Sequence, residues 1–194
     1  MNFLAHAFLS FENPELMVGN FIADFVKGND YLNYPDPVSN GIILHREIDQ
    51  FTDEHRQFRH SKRRLHQDYG HYSGVIVDMY FDHFLAANFF KFHKKPLSTF
   101  SLDVYQTVQS YPGAVPSNAE KILFYMSKGN WLFSYRQIAG IEQALKGVGR
   151  RTRFKSGLEF AGGTLRQHYW LFYQDFMIFF PKAIAFAQSK ILEL

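Results

Sequence analysis

Apolar residues recur at helical spacing through most of this chain. Nowhere do they alternate with polar ones between hairpin turns, as a half-buried strand requires. PELMVGNFIADFVK (14–27) places Leu16, Phe21, Ile22, Phe25 and Val26 at near-helical spacing, and Gly28 stops the run. DPVSNGIILHREIDQFTDEH (36–55) begins with Asp36 as a cap and Pro37 in the first turn. YSGVIVDMYFDHFLAANFF (72–90) is apolar almost throughout, which predicts burial. Residues 97–110, 117–133 and 135–147 continue the pattern, and 157–193 reads as a long helix interrupted by Pro181. Residues 28–35 and 148–156 read as irregular. The expectation is an all-α fold, one domain over 1–194, a length that fits a single core.

Composition narrows the class. At 46% hydrophobic and 20% charged the chain folds, and an 18% aromatic share predicts a ring-packed core. There is no cysteine, which excludes disulfides, thiolate metal sites and a cysteine nucleophile. That suits a reducing compartment, so a cytoplasmic location is expected. The apolar start MNFLAHAFLSF lacks a basic leader region, and FMIFFPKAIAF is broken by Pro181 and Lys182, so neither a leader nor a membrane span is expected. A formal charge of +3 hints at an acidic or phosphate-bearing partner.

The candidate chemistry lies in four segments. In HREIDQFTD (45–53), His45 and Asp49 lie about 40° apart around a helix and one turn along it, a spacing that can share an ion. The same spacing also occurs as an ordinary exposed pair worth a few tenths of a kcal/mol. VDMYFDHFL (77–85) buries Asp82 among Tyr80, Phe81, Phe84 and Leu85. A buried carboxylate needs a partner, and either a divalent ion or an arginine, Arg46 or Arg136, would serve. Asp24 in GNFIADF (19–25) raises the same question. His6 in NFLAH (2–6) reads, alone, as a satisfied core histidine. Together, acids on three apolar helices with imidazoles beside them are how helical bundles build metal sites. Without cysteine the donors are nitrogen and oxygen, which favours Mn²⁺ or Mg²⁺ and admits Fe²⁺ or Zn²⁺.

RQFRHSKRR (56–64) puts Arg56, Arg59 and Arg63 on one helix face with Lys62 near, and GRRTRFK (149–155) reads as a basic loop. Each is either a solvated face or a dock for an acidic partner or a phosphate. Nucleic acid fits poorly, because the aromatics follow core periodicity and do not interleave with the basic runs. No G-x-S-x-G, P-loop or G-x-G-x-x-G occurs.

NFLAH, GNFIADFVKG (19–28), GIILHREIDQFTD (41–53), DHFLA (82–86), WLFSYRQIAGIEQAL (131–145) and FYQDFMIFFP (172–181) together resemble the acyl carrier protein phosphodiesterase family, in order along nearly the whole chain. The resemblance implies an HD-like helical bundle, a distant branch of the HD-type metal-dependent phosphohydrolases. It also implies removal of 4′-phosphopantetheine from the serine of holo-acyl carrier protein, with Mn²⁺ the usual metal. The His-Asp pair that names that superfamily runs the other way here, as Asp82-His83, which is also the family's own order. Carried over by residue, the implied site is His6, Asp24, His45, Asp49, Asp82 and His83. Asp24, His45, Asp49 and Asp82 are then the expected metal ligands, and His6, Asp24 and His83 the catalytic groups. Arg46, Arg136, Arg150 and Arg151 are expected to meet phosphate charge, and Arg56, Arg59, Lys62 and Arg63 to dock the acidic carrier protein. The alternatives are an HD-like hydrolase of a small nucleotide or other phosphoester, and a helical binding module without catalysis.

Overall fold

A computed structural model describes residues 1–150 and 156–194. Helix α1 (Phe3–Phe8) is followed by α2 (Pro14–Ile22), α3 (Asp36–Glu54) and α4 (Arg56–Tyr69). Next come α5 (Ser73–Ala87), α6 (Leu97–Gln109), α7 (Ser117–Gly129) and α8 (Trp131–Ser134). The chain closes with α9 (Ile138–Gly149), α10 (Ala161–Gln167) and α11 (Tyr169–Glu193). Among the described residues there is no strand, so the all-α expectation holds. No helix among them is long and apolar enough to cross a membrane.

Local chemistry sets several boundaries. Asn13 caps α2 by accepting from the Leu16 N–H at 3.0 Å, with Pro14 as the first helical residue. The helix then tightens into a 3₁₀ turn, Ala23–Phe25, which carries Asp24. α7 ends where Asn130 turns left-handed at φ 43°. The break expected at Pro181 is absent, and α11 runs through it. Proline removes one backbone donor, but Phe179, Phe180 and Ala183 on either side are buried and hold the helix. The interruption comes instead at His168, between α10 and α11. Likewise α9 runs past Gly147 to Gly149.

The core is ring-packed. α5 is buried along most of its length, and Phe81 packs against Phe58 of α4 and against Phe176 and Phe179 of α11. Ser61 donates to the buried Asp175 at 2.8 Å and Arg64 pairs with the same carboxylate, tying α4 to α11.

α2 and α3 cross at Gly19 and Gly41. A Cβ on Gly19 would sit 2.1 Å from the Val38 carbonyl oxygen, and one on Gly41 would sit 2.5 Å from that of Leu16. Both positions therefore exclude any side chain. This backbone-to-backbone approach brings Asn20, next to Gly19, within reach of His45, one turn beyond Gly41.

Candidate metal centre

Three elements converge on one point: α1 through His6, the 3₁₀ turn after α2 through Asp24, and α3 through His45 and Asp49. The Nε2 of His6 lies 3.1 Å from Asp49. The Nε2 of His45 lies 3.2 Å from Asp49 and 3.3 Å from Asp24. The two imidazoles stack, with centroids 3.8 Å apart and planes 14° from parallel. Both are buried, whereas Asp24 and Asp49 are partly open to solvent.

Asn20 organises this cluster. His45 Nδ1 faces the Asn20 carbonyl at 2.9 Å and its side-chain oxygen at 3.1 Å. Both oxygens can only accept, so Nδ1 carries the proton and Nε2 is the atom presented to the acids. The Asn20 amide also donates to the carbonyl of His6 and to Ser10 Oγ, each at 3.1 Å, joining α1 to α2.

Met1, Asn2, Asp24, Asp49, Asp53, Val75, Asp78, Met79 and Val148 line a cavity of about 320 Å³ here. The Met1 ammonium bonds Asp49 at 2.8 Å and Asp78 at 3.3 Å.

Burial lowers the affinity of His6 for a proton and the neighbouring His45 lowers it further, to a pKa of about 4 despite Asp49. Burial also opposes charge on His45, but hydrogen bonds to Asp24 and Asp49 outweigh it and raise the pKa to about 9. Burial disfavours ionisation of Asp49, yet His45, His6 and the Met1 ammonium hold it well below the ordinary carboxylate range. The His45 hydrogen bond lowers Asp24. Burial pushes Asp78 up to about 6, with the ammonium opposing.

One donor atom from each of His6, His45 and Asp49 lies within 4.8 Å of the others. That spacing fits an ion bonded at about 2.0–2.2 Å to each. The donors are nitrogen and oxygen, and the second ring nitrogen of His45 is pinned, as is usual for a metal-binding histidine. The residues present therefore fit a divalent ion, with Asp24 at the edge of the same group.

Other expected site residues are placed elsewhere. Asp82 is fully buried, but its two oxygens accept the backbone N–H groups of Leu4 and Ala5 at 2.9 and 3.0 Å. Among the described residues its hydrogen-bond partners are the amides at the start of α1. His83 is also turned away: Nδ1 meets the Tyr135 carbonyl at 2.8 Å and Nε2 the Tyr169 hydroxyl at 3.1 Å. Both ring nitrogens are thus engaged outside the cluster. Arg46 spends its guanidinium on the carbonyls of Gly28 and Val26, at 2.8 and 3.1 Å, bracing the loop after Asp24. Arg136 is exposed and lies over the Phe133 ring at 3.7 Å. Arg150 is exposed and lines a different cavity. Arg151 falls outside the described residues.

Arg56, Arg59, Lys62 and Arg63 are all exposed on α4, although Arg59 also donates to the Glu54 carbonyl at 2.5 Å. Lys62 reaches towards Gly74, whose neighbour Val75 lines the acidic cavity. Lys62 thus brings one cation of the basic face near the rim of the site.

Sequence reasoning passed over Asn20 and gave Asp78 no role. Asn20 is a neutral polar residue buried in an apolar helix, the one signal that would have marked it. Asp78 stands one turn before Asp82, on a helix whose acids were already suspect.

An all-helical fold with two imidazoles and a carboxylate gathered beside an acidic cavity presents a donor set with the spacing of a cation site. A family model described as "Acyl carrier protein phosphodiesterase" matches residues 1–183. A protein of that name from Photorhabdus laumondii is 30% identical over 195 residues, covering 98% of this chain and 96% of the relative. Others from Pectobacterium atrosepticum and Yersinia pestis are 27% and 28% identical, covering 99% and 98% of this chain and 100% and 99% of theirs. No solved structure matches. The chain belongs to the acyl carrier protein phosphodiesterase family.

Proposed function

We propose that this chain, as a single HD-like domain over residues 1–194, hydrolyses the phosphodiester linking 4′-phosphopantetheine to the serine of holo-acyl carrier protein. The products are apo-carrier and free 4′-phosphopantetheine. One observation carries the reading: Asp24, Asp49, Asp53 and Asp78 all line one cavity, and Lys62 of the exposed basic face of α4 lies close to Gly74, next to the cavity residue Val75. The Met1 ammonium offsets only part of this carboxylate charge, which would repel a phosphodiester unless a further cation were bound, whereas the basic residues of α4 attract an acidic protein.

His6, His45 and Asp49 would hold the ion, with Asp24 completing or orienting the set. Mn²⁺ is the expected metal, Mg²⁺ or Fe²⁺ the next. When bound it supplies Lewis acidity and lowers the pKa of water enough for hydrolysis at neutral pH.

The chain's own groups do the rest. Asn20 keeps the His45 Nε2 aimed at the acids. Asp24 and Asp49, ionised at neutral pH, stay available to bind a cation. The departing serine oxygen needs a proton, and Asp78, pushed up to about 6 by burial, faces the cavity in a partly protonated state. Arg56, Lys62 and Arg63 steer the carrier protein to the rim.

The test is incubation with holo-acyl carrier protein and Mn²⁺, followed by the mass of the carrier. Loss of the phosphopantetheine mass, abolished by Asp24→Ala with helix content intact, is expected. An unchanged carrier alongside hydrolysis of a nucleotide would transfer the site to the small-phosphoester reading.

A further inference from the structure

A second cavity, of about 480 Å³, lies between α7, α8 and α9. Its walls include Tyr125, Trp131, Tyr135, Gly147, Lys146 and Arg150. Two features join it to the acidic cavity. Val148 lines both. Tyr135, a wall of the second, lies close enough to Asn2, a wall of the first, to interact with its side chain.

The volume is in the range of small-molecule sites, about 300–1,000 Å³. The lining is mixed, with three aromatic rings, the amide of Gln143, the hydroxyl of Ser134 and two cations. Such walls suit a flexible, largely neutral chain with apolar and amide segments. A pantetheine arm is of that kind, with a gem-dimethyl group, a hydroxyl and two amides. The placement also suits the reaction. The scissile phosphorus separates the protein from the arm, so the two must leave the acidic cavity in different directions. Val75 of α5, next to the Gly74 that Lys62 of α4 approaches, and Val148, shared with the second cavity, are different lining residues of the acidic cavity.

We infer that the cavity between α7, α8 and α9 receives the pantetheine arm while the phosphate lies in the acidic cavity, an inference that rests on the proposed carrier-protein substrate. Recognition of the arm would then come from Tyr125, Trp131 and Tyr135 by packing and from Gln143 by hydrogen bonding.

Gly147 allows a direct test. A Cβ there meets nothing within 4 Å, and alanine or a larger residue favours a helix over glycine, so Gly147→Phe fills the cavity without disturbing α9. The probe is pantetheine itself, without phosphate or metal, followed through Trp131 fluorescence in a Trp170→Phe background. A saturable change is expected, kept by Gly147→Ala and weakened at least about tenfold by Gly147→Phe or Gly147→Leu. Circular dichroism would verify helix content. Absence of a saturable change at millimolar pantetheine overturns the inference, and so does equal affinity in the blocked variants. Failure of the carrier-protein reading is seen separately, as an unchanged carrier mass with wild-type protein and Mn²⁺.

Discussion

The Nδ1–H of His45 points at the main-chain carbonyl of Asn20, 2.9 Å away. A carbonyl cannot donate, so this contact chooses the tautomer and frees Nε2 for the acids. The Asn20 side chain adds a second acceptor and ties the backbone of His6 to the same point. Asn20→Ala should therefore cost about 1–3 kcal/mol by leaving buried groups unpaired, and weaken metal binding about 10–100-fold. Urea unfolding and a metal titration measure the two effects, and unchanged metal affinity would remove Asn20 from the design.

The Gly19–Gly41 crossing makes that contact reachable. Gly19→Ala and Gly41→Ala each push a methyl into backbone and should destabilise by at least about 1–3 kcal/mol. Gly147→Ala, with open space around it, should be neutral or stabilising by up to about 1 kcal/mol. Equal denaturation midpoints for all three would contradict the close approach.

In metal-free protein His45 is expected to be an imidazolium at neutral pH. Its folded pKa of about 9 is above the ordinary 6.5, so its stabilising contribution is whole below pH 6.5 and fades as pH rises through 9. A metal must displace that proton, so affinity should rise between pH 6.5 and 9 by up to about tenfold per unit. Calorimetry in buffers of different ionisation heat would count the proton released. A dissociation constant that stays flat over this window is the contrary result.

Charge reversal on α4 should slow the protein reaction and spare the metal. Arg56→Glu, Lys62→Glu and Arg63→Glu together are expected to lower kcat/KM on holo-acyl carrier protein about tenfold or more, mainly through association. Added salt should slow the wild type on the protein substrate more than on a small phosphodiester. Equal slowing on both would count against docking there.

Asp82→Ala should cost about 1–3 kcal/mol, because the amides of Leu4 and Ala5 lose their acceptor inside the core. Folded Asp82→Ala should still bind one ion per chain, whereas His45→Ala should not. Elemental analysis after gel filtration distinguishes them.

Helix α3 could be read from the sequence almost to the residue, since Pro37 and the apolar spacing from Val38 to Phe51 agree. Pro181 was misread because the missing donor is visible in the sequence, whereas the rings that hold α11 together come from other helices. The same limit shaped the site. An acid in an apolar helix demands a partner, and that argument found Asp24 and Asp82 alike. It could not say that the partner of Asp82 is a pair of backbone amides, because the docking of α1 on α5 is a tertiary event. Asn20 carries no charge and raised no alarm, although it holds the tautomer.

The six residues of α1 are too few to stay helical alone. His6 is therefore positioned largely by tertiary contacts: the grip of Asp82 on the amides of Leu4 and Ala5, and the bond from Asn20 to its own carbonyl. Partial loosening at the edge of the bundle would scatter the donor set while the ring-packed centre remains ordered. Loss of ion binding on warming should then run ahead of loss of helical signal, and inactivation would begin as a local event.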